Sequence, residues 1–279
     1  MYNQVRGDKC ALNVIYPILS GLGKIGMFKK VFPKISIMEG RYKSTNEAIA
    51  KLGDCSVLEL AAGISPRGLE ATDGSFEWFT PGSWYVETDL RGMVHRKRNI
   101  VGEIRAGQGR EVTENHRFFA VDVADYIRVL KAGVFLQKLG NIKPIAVVHE
   151  GLWGYLDREK GSVEIQTRVR DNIAGFLRDY SNGGAWITPD FSMGRSTHAD
   201  GNVSRFFRHR IRQTTKTAGS KFTSDEEVCD FLREGGLRAE VLPNKDIAKN
   251  LSCIKIAGLD PARVEDCARS YRAWYITLQ

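Results

Sequence analysis

Four short apolar segments of the chain each end at polar side chains that could bind a ligand. The first segment ends near Glu59 and runs into Ala61 and Gly63, small residues that let a ligand approach the backbone closely. The second ends in Glu87 and Asp89, whose carboxylates could accept hydrogen bonds from ribose hydroxyls. A small-residue turn after one strand and a carboxylate after the next are typical of a nucleotide site.

The third and fourth segments lead to further groups that could do chemistry. Asp122 follows the third, and it also suits the N-cap of a helix. His149 ends the fourth beside Glu150, where an imidazole could act as a general base or bond within a turn. Trp153 and Tyr155 follow in the same loop, and they could line a substrate pocket or pack into the core.

These groups need a scaffold that brings the ends of strands together. Short apolar segments alternate with longer amphipathic ones, which predicts an α/β fold, a mainly parallel sheet with helices on both faces. Ligands bind such sheets at the carboxyl ends of the strands, so the four polar groups would lie along one edge. The predicted strands cover residues 56–60, 84–87, 117–121, 144–149, 185–188, 237–242 and 273–278.

Helix boundaries carry signals of their own. Ser44 with Glu47 and Ser224 with Glu227 are capping-box pairs, which predict helix starts. The Ser65–Pro66 step predicts an N-cap followed by proline at the first helical position. Further helices are predicted over residues 93–104, 125–139 and 157–180, and after residue 261.

The composition excludes several classes of protein. The 279 residues carry 41 Lys and Arg against 33 Asp and Glu, a formal charge of +8, and 42% are hydrophobic, which suits one soluble α/β domain. The early apolar stretch 11–27 is interrupted by glycine, serine and proline, so we expect no membrane span or secretory signal and a cytoplasmic location. The five widely spaced cysteines predict neither a disulfide framework nor a zinc site, and we expect no bound metal.

The turn after the first strand differs from the dinucleotide-binding fingerprint. The three glycines of Gly-x-Gly-x-x-Gly are replaced here by Ala61, Gly63 and Pro66. A nicotinamide-dependent enzyme is therefore disfavoured.

Longer stretches around these groups resemble one known family. They are Glu-Leu-Ala-Ala-Gly-Ile-Ser-Pro-Arg-Gly at 59–68, Tyr-Val-Glu-Thr-Asp-Leu at 85–90, His-Glu-Gly-Leu-Trp-Gly-Tyr-Leu at 149–156 and Gly-Gly-Ala-Trp-Ile-Thr-Pro-Asp at 183–190. Over residues 41–190 the chain resembles class I S-adenosylmethionine-dependent methyltransferases, most of all the leucine carboxyl methyltransferase and polyketide O-methyltransferase group. The resemblance implies S-adenosyl-L-methionine as cofactor and a Rossmann-like, seven-stranded, mostly parallel sheet whose last strand is antiparallel.

The resemblance also implies which residues contact the adenosine part of the cofactor. Asp89 with Glu87 would hold the ribose. Asp122 and Val123 would flank the adenine.

Around the methionine part of the cofactor, the resemblance implies a second set of contacts. Ala61 and Gly63 would line it, and Glu59 belongs to the same cofactor-binding set. Arg41 would pair with the cofactor carboxylate, and Glu150 would face the amino group or the reacting centre. The family usually has glycine at the position of Ala61. The methyl side chain of alanine therefore narrows the space through which the cofactor approaches the backbone.

The expected activity is O-methylation of a small-molecule carboxylate or hydroxyl by in-line methyl transfer. His149 and Glu150 are the predicted catalytic residues, and Trp153 and Tyr155 are predicted at the substrate. A protein carboxylate is an alternative acceptor. We expect a single domain with four parts, which are a helical lid at 1–40, a cofactor-binding core at 41–190, an insertion over the site at 191–222 and the rest of the sheet at 223–279.

Two alternatives to this activity stay open. Basic and aromatic or apolar residues interleave at 205–216 and 91–98, which would suit a nucleic-acid-binding protein or an RNA methyltransferase. We disfavour a nucleic-acid partner because the net charge is modest and no recognised nucleic-acid motif accompanies these segments. The other alternative is a scaffold that binds the cofactor without catalysis.

Overall fold

The computed structural model describes residues 28–156, 162–192, 222, 224–242, 251–252 and 272–279. Three predicted features lie outside the described residues: the first part of the N-terminal lid, most of the insertion together with its basic segment 205–216, and the helix after residue 261.

One seven-stranded sheet organises the described residues. Its strands are β1 (Ser56–Leu60), β2 (Tyr85–Asp89), β3 (His116–Ala120), β4 (Ile145–His149), β5 (Ala185–Thr188), β6 (Leu237–Leu242) and β7 (Ala273–Leu278). Their order across the sheet is β3-β2-β1-β4-β5-β7-β6. The neighbours among β1 to β5 pair in parallel, and β7 is antiparallel to both β5 and β6. The predicted mostly parallel sheet with an antiparallel last strand is confirmed.

Helices cover both faces of this sheet. They are α1 (Phe28–Leu52), α2 (Arg67–Thr72), α3 (Arg91–Gly107), α4 (Tyr126–Lys138), α5 (Trp153–Leu156), α6 (Ser162–Tyr180) and α7 (Asp225–Glu234), with a 3-10 turn at Asp190–Ser192. One hydrophobic cluster joins the strands to α4, α6 and α7, and a second joins them to α1 and α2. The described chain is therefore a three-layered α/β structure, as predicted.

Strand β1 lies between β2 and β4 in the sheet and is buried along its whole length. Successive side chains of a strand point to opposite faces, so Leu58 packs in the first cluster and Val57 in the second. Parallel pairing places Glu59 beside Glu87 of β2, and Leu60 beside His149 of β4. The carboxyl ends of β1, β2 and β4 therefore meet at one edge of the sheet.

The helix starts predicted from capping signals agree with the structure to different extents. Ser224 accepts a hydrogen bond from the Glu227 backbone N–H at 3.1 Å and caps α7, as predicted. The predicted start at Ser44 is wrong, because α1 runs through it and the Ser44 hydroxyl donates back to the Gly40 carbonyl at 2.8 Å. The start near Pro66 is displaced by one position, since Pro66 itself is the N-cap of α2.

Candidate active site

The turn after β1 and the end of β2 meet through a single carboxylate. Asp89 Oδ2 accepts a hydrogen bond from the Gly63 backbone N–H at 2.8 Å, and Asp89 Oδ1 accepts one from the Leu90 N–H at 2.7 Å. The Asp89 side chain is half-buried. We call this arrangement, from Ala61 to Gly63 together with Asp89, the β2 side of the site.

Backbone strain marks the turn on the β2 side. Ala61 has φ +50° and Gly63 has φ +54°, both in the left-handed region. An L-residue such as alanine is disfavoured there by about 1–2 kcal/mol, because its β-carbon crowds the following carbonyl. A β-carbon built on Gly63 would meet no described atom within 4 Å, so space lies open beside the turn. Strain of this kind tends to persist at ligand sites, where the surrounding structure maintains it.

The end of β3 extends the β2 side. The Val121 N–H donates to the Asp89 carbonyl at 3.0 Å, which keeps the chain after β3 beside the end of β2. Asp122 is exposed, and its carboxylate accepts a hydrogen bond from the Ala124 N–H at 3.0 Å. Val123 is buried, and its carbonyl accepts from the Asn172 side chain at 3.0 Å. The predicted adenine residues thus follow β3 next to Asp89, and their contact with adenine stays a prediction.

A network of ion pairs lies at the ends of β4 and β5, and we call it the β4 side. Its four charged members are Arg41, Arg67, Glu150 and Asp190. Arg41 of α1 donates from Nη2 to Asp190 Oδ1 at 2.8 Å, and its Nε lies 4.0 Å from Glu150 Oε1. That Nε is buried and has no hydrogen-bond partner among the described residues.

Arg67 contacts residues of three other parts of the chain on the β4 side. Its fully buried guanidinium forms an ion pair with Glu59, donates from Nη2 to Glu150 at 2.8 Å and from Nε to Asn46 at 2.7 Å. It also stacks over the ring of Tyr42, 4.6 Å from the centroid. Burial opposes its charge, but the neighbouring carboxylates, led by Glu59, raise the pKa of Arg67 above its ordinary value. The Arg67 cation therefore holds the Glu150 carboxylate in place.

Asp190 has a fully buried carboxylate that accepts hydrogen bonds on both oxygens. Its contacts with His149 Nδ1 at 3.0 Å and with the backbone N–H groups of Gly151 at 2.7 Å and Trp153 at 2.9 Å add to the Arg41 bond. Burial opposes ionisation, but the His149 hydrogen bond and the charge of Arg41 outweigh it and lower the pKa of Asp190 to about 2. Asp190 is therefore an anion at neutral pH.

The predicted cofactor residues Glu59 and Glu87 are both engaged by other side chains of the protein. Both side chains are almost completely buried. Glu59 is taken up by Arg67 and by the Tyr85 hydroxyl, which donates to it at 2.7 Å. Glu87 forms an ion pair with Lys97, and its other oxygen lies 2.8 Å from His116 Nε2. Each carboxylate is compensated by a cation from a helix, and the contact of either one with the cofactor stays a prediction.

The predicted base His149 lies in the interior of the protein. His149 is fully buried, with its ring 6.0 Å from Trp153 and 5.6 Å from Trp186. It belongs to an aromatic cluster, and its role as a base stays a prediction. Trp153 is buried in the same aromatic cluster, so of the two alternatives it packs in the core. Tyr155 is 50% exposed, and its place at the substrate stays a prediction.

Sequence reasoning did not single out Asp190 or Arg67 as members of the site. Asp190 lies two residues after the end of β5, so the same strand-end argument that selected Asp89 could have found it. Arg67 gave no such signal, because its partners come from α1, β1 and the loop after β4. Only the packing of α2 against the sheet brings them together.

Metal binding, membrane spanning and nucleic-acid binding would each require particular side chains among the described residues. No group of three or more histidine, cysteine or acidic side chains among them could hold a metal ion. No helix in the described part of the chain is long and apolar enough to cross a membrane. In the basic segment of α3, Arg91, Arg96 and Arg98 are exposed, whereas Lys97 is buried.

Comparison with known proteins bears on the fold. No protein-family model and no curated protein sequence matches the chain. A protein from Thermobifida fusca YX, provisionally described as a methyltransferase, shares 15% identity over 88% of this chain and 82% of its own, with a TM-score of 0.52. A DUF574 family protein from Streptomyces avermitilis MA-4680 shares 17% identity over 87% of this chain and 83% of its own, with a TM-score of 0.52. These likenesses, with the strand order, show that the chain has the class I methyltransferase fold that its motifs predicted.

Proposed function

We propose that the protein is an S-adenosylmethionine-dependent methyltransferase that O-methylates a small molecule. The observation that carries this proposal is the 2.8 Å bond between Asp89 and the Gly63 backbone. It joins a strained small-residue turn after β1 to a carboxylate at the end of β2, the two features that a nucleoside with a vicinal diol requires.

The residues of the site fit each part of this cofactor. Asp89 would accept hydrogen bonds from the ribose hydroxyls, and Ala61 and Gly63 would line the sulfur-bearing chain. The buried Nε of Arg41 is a donor without a described partner, which suits a carboxylate, and Glu150 suits the amino group. Bound there, S-adenosylmethionine supplies a methyl group on a positively charged sulfur.

The described residues favour a carboxylate acceptor over a hydroxyl. A carboxylate is already ionised at neutral pH and requires no general base, whereas a hydroxyl benefits from one. Within the described part of the chain, two residues near the site that could act as a base are otherwise placed. His149 is fully buried, and the Asp190 carboxylate is engaged by four donors. These residues would therefore act by holding the reactants in line.

Calorimetric titration with S-adenosylhomocysteine tests the cofactor. We expect the wild-type protein to bind it and Asp89→Asn to weaken binding by about tenfold or more, because a charge-assisted bond to the ribose is lost. Asp54→Asn, at the opposite end of β1, is the matched control and should bind like the wild type. A folded protein that binds NAD and not S-adenosylhomocysteine would refute the proposal.

Transfer of a labelled methyl group tests the acceptor. The enzyme would be incubated with labelled S-adenosylmethionine and a panel of carboxylic acids and phenols. Mild base releases labelled methanol from methyl esters but not from ethers, so base-labile counts identify a carboxylate acceptor. Label in phenols alone would contradict the preference for carboxylates, and label in RNA alone would support the nucleic-acid alternative.

A further inference from the structure

Asp190 has an unusual combination of burial and hydrogen bonding. Its Oδ1 accepts from Arg41 Nη2 at 2.8 Å and from the Gly151 N–H at 2.7 Å. Its Oδ2 accepts from the Trp153 N–H at 2.9 Å and lies 3.0 Å from His149 Nδ1. Three of these partners belong to the end of β4 and the loop after it, and only Arg41 comes from a distant part of the chain. The carboxylate position is therefore set by the sheet and its loop.

Arg41 depends on this contact for its orientation. An arginine side chain has many rotamers, and a binding site loses affinity when it must order one of them. Here the bond from Nη2 to Asp190 fixes the guanidinium plane while Nε stays buried without a described partner, 4.0 Å from Glu150. One donor is thus anchored to the protein, while 13% of the Arg41 side chain stays exposed.

We propose that Asp190 is a positioning residue that orients Arg41 toward the carboxylate of the methionine part of the cofactor. This inference rests on the proposed function and goes beyond it, since Asp190 itself does not face the ligand. Its side chain is fully buried, and it acts through Arg41. Its anionic charge at neutral pH makes the Arg41 contact a charge-assisted hydrogen bond, which is stronger than a neutral one.

Two ligands separate this role from a merely structural one. S-adenosylhomocysteine carries the amino and carboxylate groups, whereas 5′-methylthioadenosine has the same adenosine and a thioether sulfur but lacks both groups. We expect Asp190→Asn to lower the affinity for S-adenosylhomocysteine about tenfold and to leave that for methylthioadenosine unchanged. Arg41→Gln should give the same pattern, and the double variant should lose no more than Arg41→Gln alone.

Calorimetry on the full chain, with circular dichroism to verify folding, decides the outcome. The smaller Asp190→Ser is the second variant should asparagine disturb the fold, and Asp171→Asn on α6, whose carboxylate is half exposed, is the matched control. Equal weakening of both ligands would overturn the inference, because Asp190 would then be structural. Unchanged or tighter binding of S-adenosylhomocysteine would overturn it as well, since Asp190 would not assist Arg41. A wild-type protein that binds neither ligand would refute the proposed function itself.

Discussion

The two sides of the site hold their charged groups in different ways. On the β2 side, Asp89 is held by two backbone N–H groups, those of Gly63 and Leu90. On the β4 side, Glu150 is held by the side chain of Arg67, and Asp190 is held by the side chains of Arg41 and His149 together with two backbone N–H groups. Backbone donors are fixed by the strands themselves, whereas a side-chain network depends on every member. Single substitutions on the β4 side should therefore mainly lower the free energy of unfolding. Those on the β2 side should mainly weaken ligand binding.

The largest expected effect is on the stability of the β4 side. Arg67→Met removes a fully buried cation and leaves Glu59 and Glu150 without their partner. Removal of one member of a buried ion pair costs about 3–5 kcal/mol, and urea denaturation should show a loss of this size in the free energy of unfolding. The control is Arg128→Met on α4, whose side chain is 54% exposed, and it should change stability by about 0.5 kcal/mol at most.

The same experiment can contradict the comparison. If Arg67→Met unfolds at nearly the wild-type urea concentration, the buried carboxylates must find other donors or protons. The β4 side would then be as tolerant as the β2 side, and the distinction between them would fail.

Ligand binding should separate the two sides next. Asp89→Asn should weaken S-adenosylhomocysteine and 5′-methylthioadenosine alike, by about 10- to 100-fold, because both carry the ribose. Glu150→Gln should weaken only S-adenosylhomocysteine, since methylthioadenosine has no amino group. Calorimetry with both ligands measures this difference. Selective loss of S-adenosylhomocysteine in Asp89→Asn would exchange the roles assigned to the two sides.

The contrast also explains which parts of the fold the sequence predicted. The bounds of β1 and β5 are as predicted, because both strands are completely buried and their apolar runs end sharply. Strand β2 was predicted to end at Glu87, but pairing with β3 continues to Asp89 despite its polar sequence. The start of α1 was missed because a capping motif is a local signal, and it has no effect once a helix has already formed upstream.

The site also contains features that the sequence could predict and features that it could not. The closeness of Asp89 to the Gly63 turn follows from strand order, so a sequence pattern could predict it. The ion pair between Arg41 and Asp190 joins residues 149 positions apart, and it depends on how α1 packs over β4, β5 and β7. Glu59 was predicted as a ligand contact because its type and position fit. Only tertiary packing reveals that Arg67 neutralises it.

Acid should weaken the β4 side through Asp190. The folded-state pKa of Asp190 is about 2, below its ordinary value of 3.8, and although burial works against this, the His149 hydrogen bond and Arg41 dominate. The stabilisation is therefore fully present above about pH 4 and is lost as the pH falls toward 2. It amounts to about 2 kcal/mol. Unfolding free energies of wild type and Asp190→Asn should converge over this range, and a constant difference would show that Asp190 stabilises by packing alone.

The smallest effect concerns the backbone of the β2 side. Ala61→Gly should relieve the left-handed strain at φ +50°, worth about 1–2 kcal/mol, against about 0.5–1 kcal/mol of added chain entropy in the unfolded state. The net expectation is a stabilisation of up to about 1.5 kcal/mol in urea denaturation. The matched control is Ala62→Gly, since Ala62 has no positive φ and is buried, and it should destabilise. If Ala61→Gly destabilises as much as the control, the strain is not stored at this turn, and the β2 side is held by Asp89 alone. If it stabilises and leaves S-adenosylhomocysteine affinity unchanged, the strained alanine is a cost that the fold bears without benefit to binding.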